Sequence, residues 1–252
     1  MKKLLYGIVL CPVFLFAQLN ESDTLKVKAK LSVTGFWQRG NVETSIFRSR
    51  ADFSIRPFGK LVYKTQNSYV YQAFGRTKAD EDILSLNFLY FNPKAKIYPL
   101  VLGFVSTNFR REIDLRYLWG AGATYQVHSK DNDWLKVSMS LEYEETDFKS
   151  DRFNIAEFNG NQTIDTFRGT IWINGKYYLF EKKVVLTHEG YIQSSLESSS
   201  NYRWQADIGA EFPIWKFLSF KINYLSTFES VVIEGQQQGD QFYSFGLTLK
   251  NF

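Results

Sequence analysis

The sequence predicts an antiparallel transmembrane β-barrel of about 12 strands, and three observations support this prediction. Apolar and polar residues alternate with a period of two along nearly the whole chain, which indicates strands with one oily and one wet face. Short turns alternate with longer polar loops, as in outer-membrane barrels. Beyond the N-terminus, no stretch approaches the ~20 consecutive apolar residues of a membrane-spanning helix.

The first element is a predicted signal peptide at residues 1–17, which leaves 18–252 as the barrel. A positively charged start, a short apolar core and the small residue Ala17 are typical of a cleaved secretory signal. Cys11 suggests a lipoprotein instead, but its large and proline neighbours argue against lipidation. The chain is therefore expected to be exported, and its predicted location is the outer membrane of a Gram-negative type of cell.

The strands follow in order, and the stretch WLKVSMSLEYEET shows their alternation most clearly. No segment has a helical period of 3.6 residues. The strand candidates are residues 25–38, 43–56, 61–73, 82–92, 98–109, 113–127, 134–147, 164–180, 184–197, 202–212, 217–230 and 240–252.

The connections differ in length between the two ends of the predicted barrel. PFGK, NPKAK, HSKDND, EKK and PIWK are short turns that follow even strands. The odd strands are followed by RGN and RREI, but also by longer loops such as FGRTKADED and residues 147–162. Short turns are thus expected in the periplasm and long loops outside. The apolar residues of the 147–162 loop suggest that it covers the barrel mouth or binds an envelope protein partner.

A secreted soluble β-sandwich or lipocalin-like barrel would show the same alternation, with its oily face as the core. Aromatic residues near strand ends in the apolar phase favour the membrane instead, because such rings suit the two interfaces of a bilayer. The last strand, QFYSFGLTLKNF, resembles the C-terminal signal read by the barrel-assembly machinery during insertion, although Phe252 is out of phase with Leu249. The oily face is therefore predicted to contact the lipid bilayer.

The polar phase places charged residues toward the lumen. Because positive and negative charges are mixed within strands, we expect them to pair across a closed lumen, and the alternative is a narrow passive channel. The lumen-facing candidates are Arg48, Arg50, Asp52, Lys64, Arg116, Glu142, Glu144, Arg168, Lys176, Arg203, Asp207, Glu211 and Lys221.

Catalytic residues are not expected. A lipid hydrolase of the outer membrane would need a Ser–His pair, yet the chain has only two histidines, His128 in a predicted turn and His188 in mid-strand. Ser194 and Ser195 form no nucleophile motif, and 131–133 is an ordinary Asp/Asn turn rather than a metal site. No cofactor and no nucleic-acid partner are predicted, because the chain has no basic run or known nucleic-acid motif.

Several segments resemble a family of bacterial outer-membrane barrels catalogued as domain of unknown function 481, some members of which are labelled salt-induced outer membrane protein. They are SVTGFWQRGNVETSIFRSRADF, FRREIDLRYLWGAGATYQV, LEYEETDF and LSFKINYLSTFES, with a Gly-Asp before the last strand. The resemblance implies a single outer-membrane barrel, and the family contributes no catalytic residues. We therefore expect a non-enzymatic structural or accessory envelope protein. A narrow channel for small solutes or ions is the alternative, and an outer-membrane lipid hydrolase is a second.

Overall fold

The computed structural model describes residues 21–22, 27–38, 43–130, 133–215 and 218–249, but not the side chains of 28–38, 48, 50, 242 and 244–249. These parts form an all-β structure with one short 3-10 helix at Ala156–Phe158. No helix in the described ranges is long and apolar enough to cross a membrane. The strands are β1 (Val27–Gln38), β2 (Thr44–Ile55), β3 (Leu61–Phe74), β4 (Thr77–Phe91), β5 (Ile97–Asn108), β6 (Ile113–Lys130), β7 (Asp133–Phe148), β8 (Thr163–Leu179), β9 (Val184–Ser195), β10 (Tyr202–Pro213), β11 (Leu218–Glu229) and β12 (Gly239–Leu249).

The 12 strands form a single sheet in which each strand pairs antiparallel with the next strand in sequence. The sheet must curl around a common interior, because Arg116 on β6 donates two hydrogen bonds to Glu229 on β11, at 2.9 and 2.8 Å. Five strand steps would separate these residues by roughly 24 Å in a flat sheet. The predicted 12-stranded antiparallel barrel is confirmed.

The two faces of the curled sheet have the opposite character to those of a soluble β-protein. Large apolar side chains are exposed on the outer face, including Met139 at 62%, Leu141 at 65% and Ile192 at 50%. Charged side chains are buried inside, including Lys136 at 1% and Glu144 at 2%. A soluble sandwich or lipocalin-like barrel would bury the first group and expose the second. The arrangement is that of a barrel whose outer wall faces lipid.

Most strand boundaries agree with the sequence prediction to within a few residues, and two predictions need correction. The first concerns the connection between β3 and β4. FGRTKADED is not a long loop, because β3 and β4 are joined by a two-residue turn, Gly75–Arg76, and β4 begins at Thr77. Both turn residues have positive φ, +53° and +67°, which is the geometry that tight hairpins require. The polar residues that suggested a loop, such as Asp80 and Glu81, lie in the extended end of β4.

A second correction concerns the predicted turn HSKDND. Strand β6 continues to Lys130, so His128 lies at an exposed strand end and not in a turn. Residues 131 and 132 lie outside the described part of the chain. The end of the barrel with residues 56–60, 92–96 and 180–183 is called the turn end, and the opposite end is called the loop end.

Candidate functional site: the barrel interior

At the turn end, Glu21 and Ser22 lie inside the barrel. The Tyr98 hydroxyl and the Lys136 ammonium both donate to Glu21 Oε1, at 2.7 and 2.8 Å. Ser22 donates to the Pro93 carbonyl at 2.6 Å. Burial raises the pKa of the Glu21 carboxyl, but the charges of Lys136 and Lys64 and the hydrogen bond from Lys136 together outweigh burial and lower the pKa to about 2. Glu21 and Ser22 thus fill the turn end as an internal plug.

The middle of the interior is apolar and aromatic on one side. Inward side chains of β3 to β6 form a buried cluster that contacts Trp172 of β8, and Trp172 packs edge-on against Phe88 with ring centroids 6.1 Å apart. On β4 and β5 the inward side chains are therefore apolar, whereas the alternation elsewhere in the barrel places polar side chains inward. The cluster consists of Val62, Phe88, Tyr90, Tyr98, Leu100, Leu102 and Leu118.

Between this cluster and the polar side chains of β7 to β9 lies a small chamber of about 40 Å³, enough for a few ordered water molecules. Glu142 lies in its wall, where it accepts hydrogen bonds from Thr170 at 2.6 Å and from Ser140. Gln193 donates to Thr170 at 2.9 Å and extends the polar network to β9.

A layer of paired charges crosses the interior nearer the loop end. Glu144 accepts from Arg168 at 2.9 Å and from Arg203, and it lies 3.9 Å from Arg116. Arg116 in turn forms the two-bond contact with Glu229. These side chains are between 2% and 17% exposed, so Arg168 and Arg203 depend on the carboxylate of Glu144 that they share, with little help from bulk water.

Arg111 extends this layer toward β12. Its guanidinium lies 3.4 Å from Glu229 and 3.1 Å from Asp240. Beside it, a cavity of about 820 Å³ reaches from the loop end to mid-height between β3, β4 and β10 to β12. Closer to the turn end than this cavity, called the vestibule below, five inward side chains are buried, whereas Asp207 and Lys221 are half-buried. The five buried residues are Asp52, Ser54, Lys64, Glu211 and Ser219.

Two long loops cover the charged layer at the loop end. Phe153 of the 149–162 loop pairs with Ile233 of the 230–238 loop through a β-bridge. Phe153 also packs edge-on against Phe148, with ring centroids 4.9 Å apart. Asn154 N–H donates to the Val232 carbonyl at 3.0 Å. The apolar residues that suggested either a cap or a partner site are therefore packed within the molecule.

The structure places most of the predicted lumen residues in this interior. Half-buried candidates are Lys176, Asp207 and Lys221, whereas Arg48 and Arg50 have side chains outside the described residues. The buried candidates are Asp52, Lys64, Arg116, Glu142, Glu144, Arg168, Arg203 and Glu211.

Sequence reasoning missed several partners of these residues. Glu229 is the main partner of Arg116. It lies in the polar phase of β11, so the alternation could have identified it as a lumen-facing residue. Arg111 and Asp240 lie at loop boundaries, where alternation gives no phase. Glu21 lies outside all strands, so no periodic signal identifies it.

A catalytic Ser–His pair is not assembled in the described structure. His188 lies on the outer face, where its ring stacks on Tyr177 with centroids 5.7 Å apart. Ser195 lies on the inner face and bonds Thr166 at 2.6 Å. Ser194 shares the face of His188 but is six residues away along β9, roughly 20 Å. Within the described ranges, no group of three or more His, Cys, Asp or Glu is placed to hold a metal ion.

Comparison with known proteins gives a family and a solved structure of similar fold. The model of the family described as "Protein of unknown function, DUF481" matches residues 31–250. The translocator domain of the autotransporter NalP from Neisseria meningitidis is similar in structure, with a TM-score of 0.44, 15% sequence identity and coverage of 89% of this chain and 87% of that chain. No curated protein matches the chain.

Proposed function

The chain belongs to the DUF481 family, and we propose that it is a non-enzymatic structural or accessory protein of the outer membrane whose lumen is closed. The observation that carries this proposal is the charged layer around Glu144, in which the guanidinium groups of Arg116, Arg168 and Arg203 surround one buried carboxylate. An ion path needs charges that water can reach and that an ion can approach. Here each cation contacts a buried or half-buried carboxylate, Glu144 or Glu229, and bulk water has little access to them.

The two ends of the barrel support the same conclusion. The plug at Glu21 occupies the turn end through its contacts with Tyr98 and Lys136. The bridge between Phe153 and Ile233 holds the two long loops together at the loop end. A protein that only admits solutes has no need of both closures, whereas a closed barrel gives a rigid wall for contacts within the envelope.

The test is solute permeability of cells that express the chain. Uptake of a small hydrophilic antibiotic should equal that of cells without the chain. The opened control lacks residues 18–22 and 150–161 and carries Lys136→Ala, Glu144→Ala, Arg168→Ala and Arg203→Ala, so that the arginines that pair with Glu144 are removed with it. This variant should admit the antibiotic. Uptake through the natural chain as fast as through the opened variant would refute the closed lumen.

A narrow passive channel is the second candidate function. The vestibule of about 820 Å³ favours it, because a continuation of this space past β1 and β2 would connect the two sides. In that case the natural chain admits the antibiotic, and substitutions of Arg111 or Asp240 at the vestibule change the rate.

Sidedness is tested separately by cysteine labelling. The short turns are proposed to lie in the periplasm and the 149–162 loop outside. A membrane-impermeant thiol reagent on intact cells should label Ser150→Cys but not Lys60→Cys. Labelling at position 60 alone would mean that the barrel has the opposite orientation.

A further inference from the structure

The outer wall of β3 and β4 carries a continuous ladder of uncharged polar side chains. The Tyr63 hydroxyl donates to Asn87 Oδ1 at 2.7 Å, and Asn87 Nδ2 donates to Ser85 Oγ at 3.0 Å. Ser85 then donates to Asn67 Oδ1 at 2.7 Å, and Asn67 Nδ2 donates to Thr65 Oγ1 at 3.0 Å. These five residues, called the polar ladder below, lie in the phase that faces away from the interior.

The polar ladder lies within the apolar belt and not at its edge. On β4, Ser85 and Asn87 lie between Ile83 and Leu89, which are 50% and 38% exposed. On the neighbouring strand β5, Val101 and Val105 are 53% and 43% exposed. On β7, β8 and β9, across the barrel, the outer wall presents Met139, Leu141, Ile171 and Ile192. The polar ladder therefore lies on the side of the wall opposite these apolar residues.

Hydrocarbon is a poor environment for this ladder. Each asparagine amide has two N–H groups, and one from Asn67 and one from Asn87 are used within the ladder. The second N–H of each amide has no hydrogen-bond partner among the described residues. Leaving such groups against lipid is costly, so a protein surface with acceptors at this depth would stabilise the wall.

The wall beside the ladder allows another backbone to approach closely. Ala51 on β2 is the residue paired with Asn67, and Gly103 on β5 is paired with Asn87. A side chain at Gly103 would meet nothing within 4 Å. Small residues next to polar hydrogen-bonding residues are the usual composition of protein–protein contacts inside membranes.

We propose that the outer wall of β2 to β5 binds a second copy of this chain, with the two polar ladders facing each other across a two-fold axis. This proposal rests on the membrane location given under Proposed function. Both copies insert in the same orientation, so a two-fold axis along the membrane normal brings each residue opposite the same depth of its partner. The ladder also complements itself, because each asparagine amide both donates and accepts.

The test is disulfide crosslinking in isolated outer membranes. The single cysteine of the sequence, Cys11, lies in the predicted signal peptide, so an introduced cysteine is expected to be unique in the processed barrel. Ser85→Cys should give a product of twice the barrel mass on mild oxidation. Ile171→Cys is the matched control, since it is 48% exposed at mid-height of β8, and it should stay monomeric.

A second variant separates recognition by the ladder from chance collision. Asn67→Leu combined with Asn87→Leu removes the polar groups but keeps the wall apolar, and it should weaken the association by roughly tenfold or more. This is measured in lipid nanodiscs by native mass spectrometry across protein concentrations, with heat-modifiable gel migration to confirm that the barrel is folded.

Three results would overturn the proposal for a folded barrel in the membrane: equal crosslinking of both cysteine variants, no crosslink at Ser85→Cys, or capture of a different protein there. A chain that is missing from the outer-membrane fraction would instead refute the membrane location, and with it the proposed function.

Discussion

Replacement of Glu144 by glutamine should destabilise the barrel strongly. The carboxylate is 2% exposed and is the shared partner of Arg168, at 2.9 Å, and Arg203. Glutamine has nearly the same shape, so the change leaves no cavity and can still accept one hydrogen bond. It removes the negative charge that lies between these cations, which leaves buried positive charge without compensation.

The size of the effect follows from that loss. Removal of one partner from a buried ion pair costs about 3–5 kcal/mol. The retained hydrogen bond places Glu144→Gln at the lower end, about 3 kcal/mol, or somewhat more than a hundredfold in the folding equilibrium. A second change, Arg168→Met, should restore part of the stability, because one uncompensated cation is then removed.

The assay is reversible urea unfolding in lipid vesicles, followed by the fluorescence of the six tryptophans. The shift in midpoint at constant slope gives the change in free energy of unfolding. Asp165→Asn is the control, because Asp165 is exposed on the outer side of β8 and should change stability by less than about 0.5 kcal/mol. If Glu144→Gln is no more harmful than this control, water screens the charged layer and the lumen is not closed.

Three further predictions concern other parts of the barrel. Gly120→Ala should destabilise the barrel strongly, because a Cβ at this position meets the backbone of β7. Gly103→Ala is its control: a Cβ at Gly103 meets nothing within 4 Å, so the free energy of unfolding in the same assay should hardly change. His188→Ala should leave phospholipid hydrolysis by the purified protein at the background rate, and a hydrolysis that this variant abolishes would show an enzyme. Acid should release Glu21 and Ser22 from the barrel interior. The pKa of Glu21 in the folded barrel is about 2, below its ordinary value of 4.5. The stabilisation from the pair with Lys136 is therefore complete above pH 4.5 and is lost as the pH falls toward 2. Protease cleavage near the N-terminus should increase over that window, and cleavage that does not depend on pH would contradict the role of the pair.

Much of the fold could be predicted from alternation alone, because side chains on a strand must face opposite sides. WLKVSMSLEYEET is β7, and its Lys136, Glu142 and Glu144 face inward. Alternation gives a direction for each side chain but no partner across the interior. Arg116 and Glu229 meet only because the sheet curls, and the degree of curl is a property of all the strands together.

The remaining misses have local physical causes. The β4 and β5 strands have apolar residues on both faces, because their inner side packs against Trp172 as a core would. The Gly75–Arg76 turn was hidden by acidic residues that extend β4 and pair with basic residues, as Asp80 pairs with Arg110 at 3.2 Å. Glu21 acts through a tertiary contact of a segment without any period.

The central claim is that the lumen is closed, and conductance of single barrels in a planar lipid bilayer tests it most directly. Purified protein, shown to be inserted by protease protection, should give no steady current steps in molar potassium chloride at neutral pH. The opened variant described above should give steps under the same conditions. Stable steps of uniform size from the natural protein, with a preference for anions or cations, would contradict the closed lumen and favour the channel.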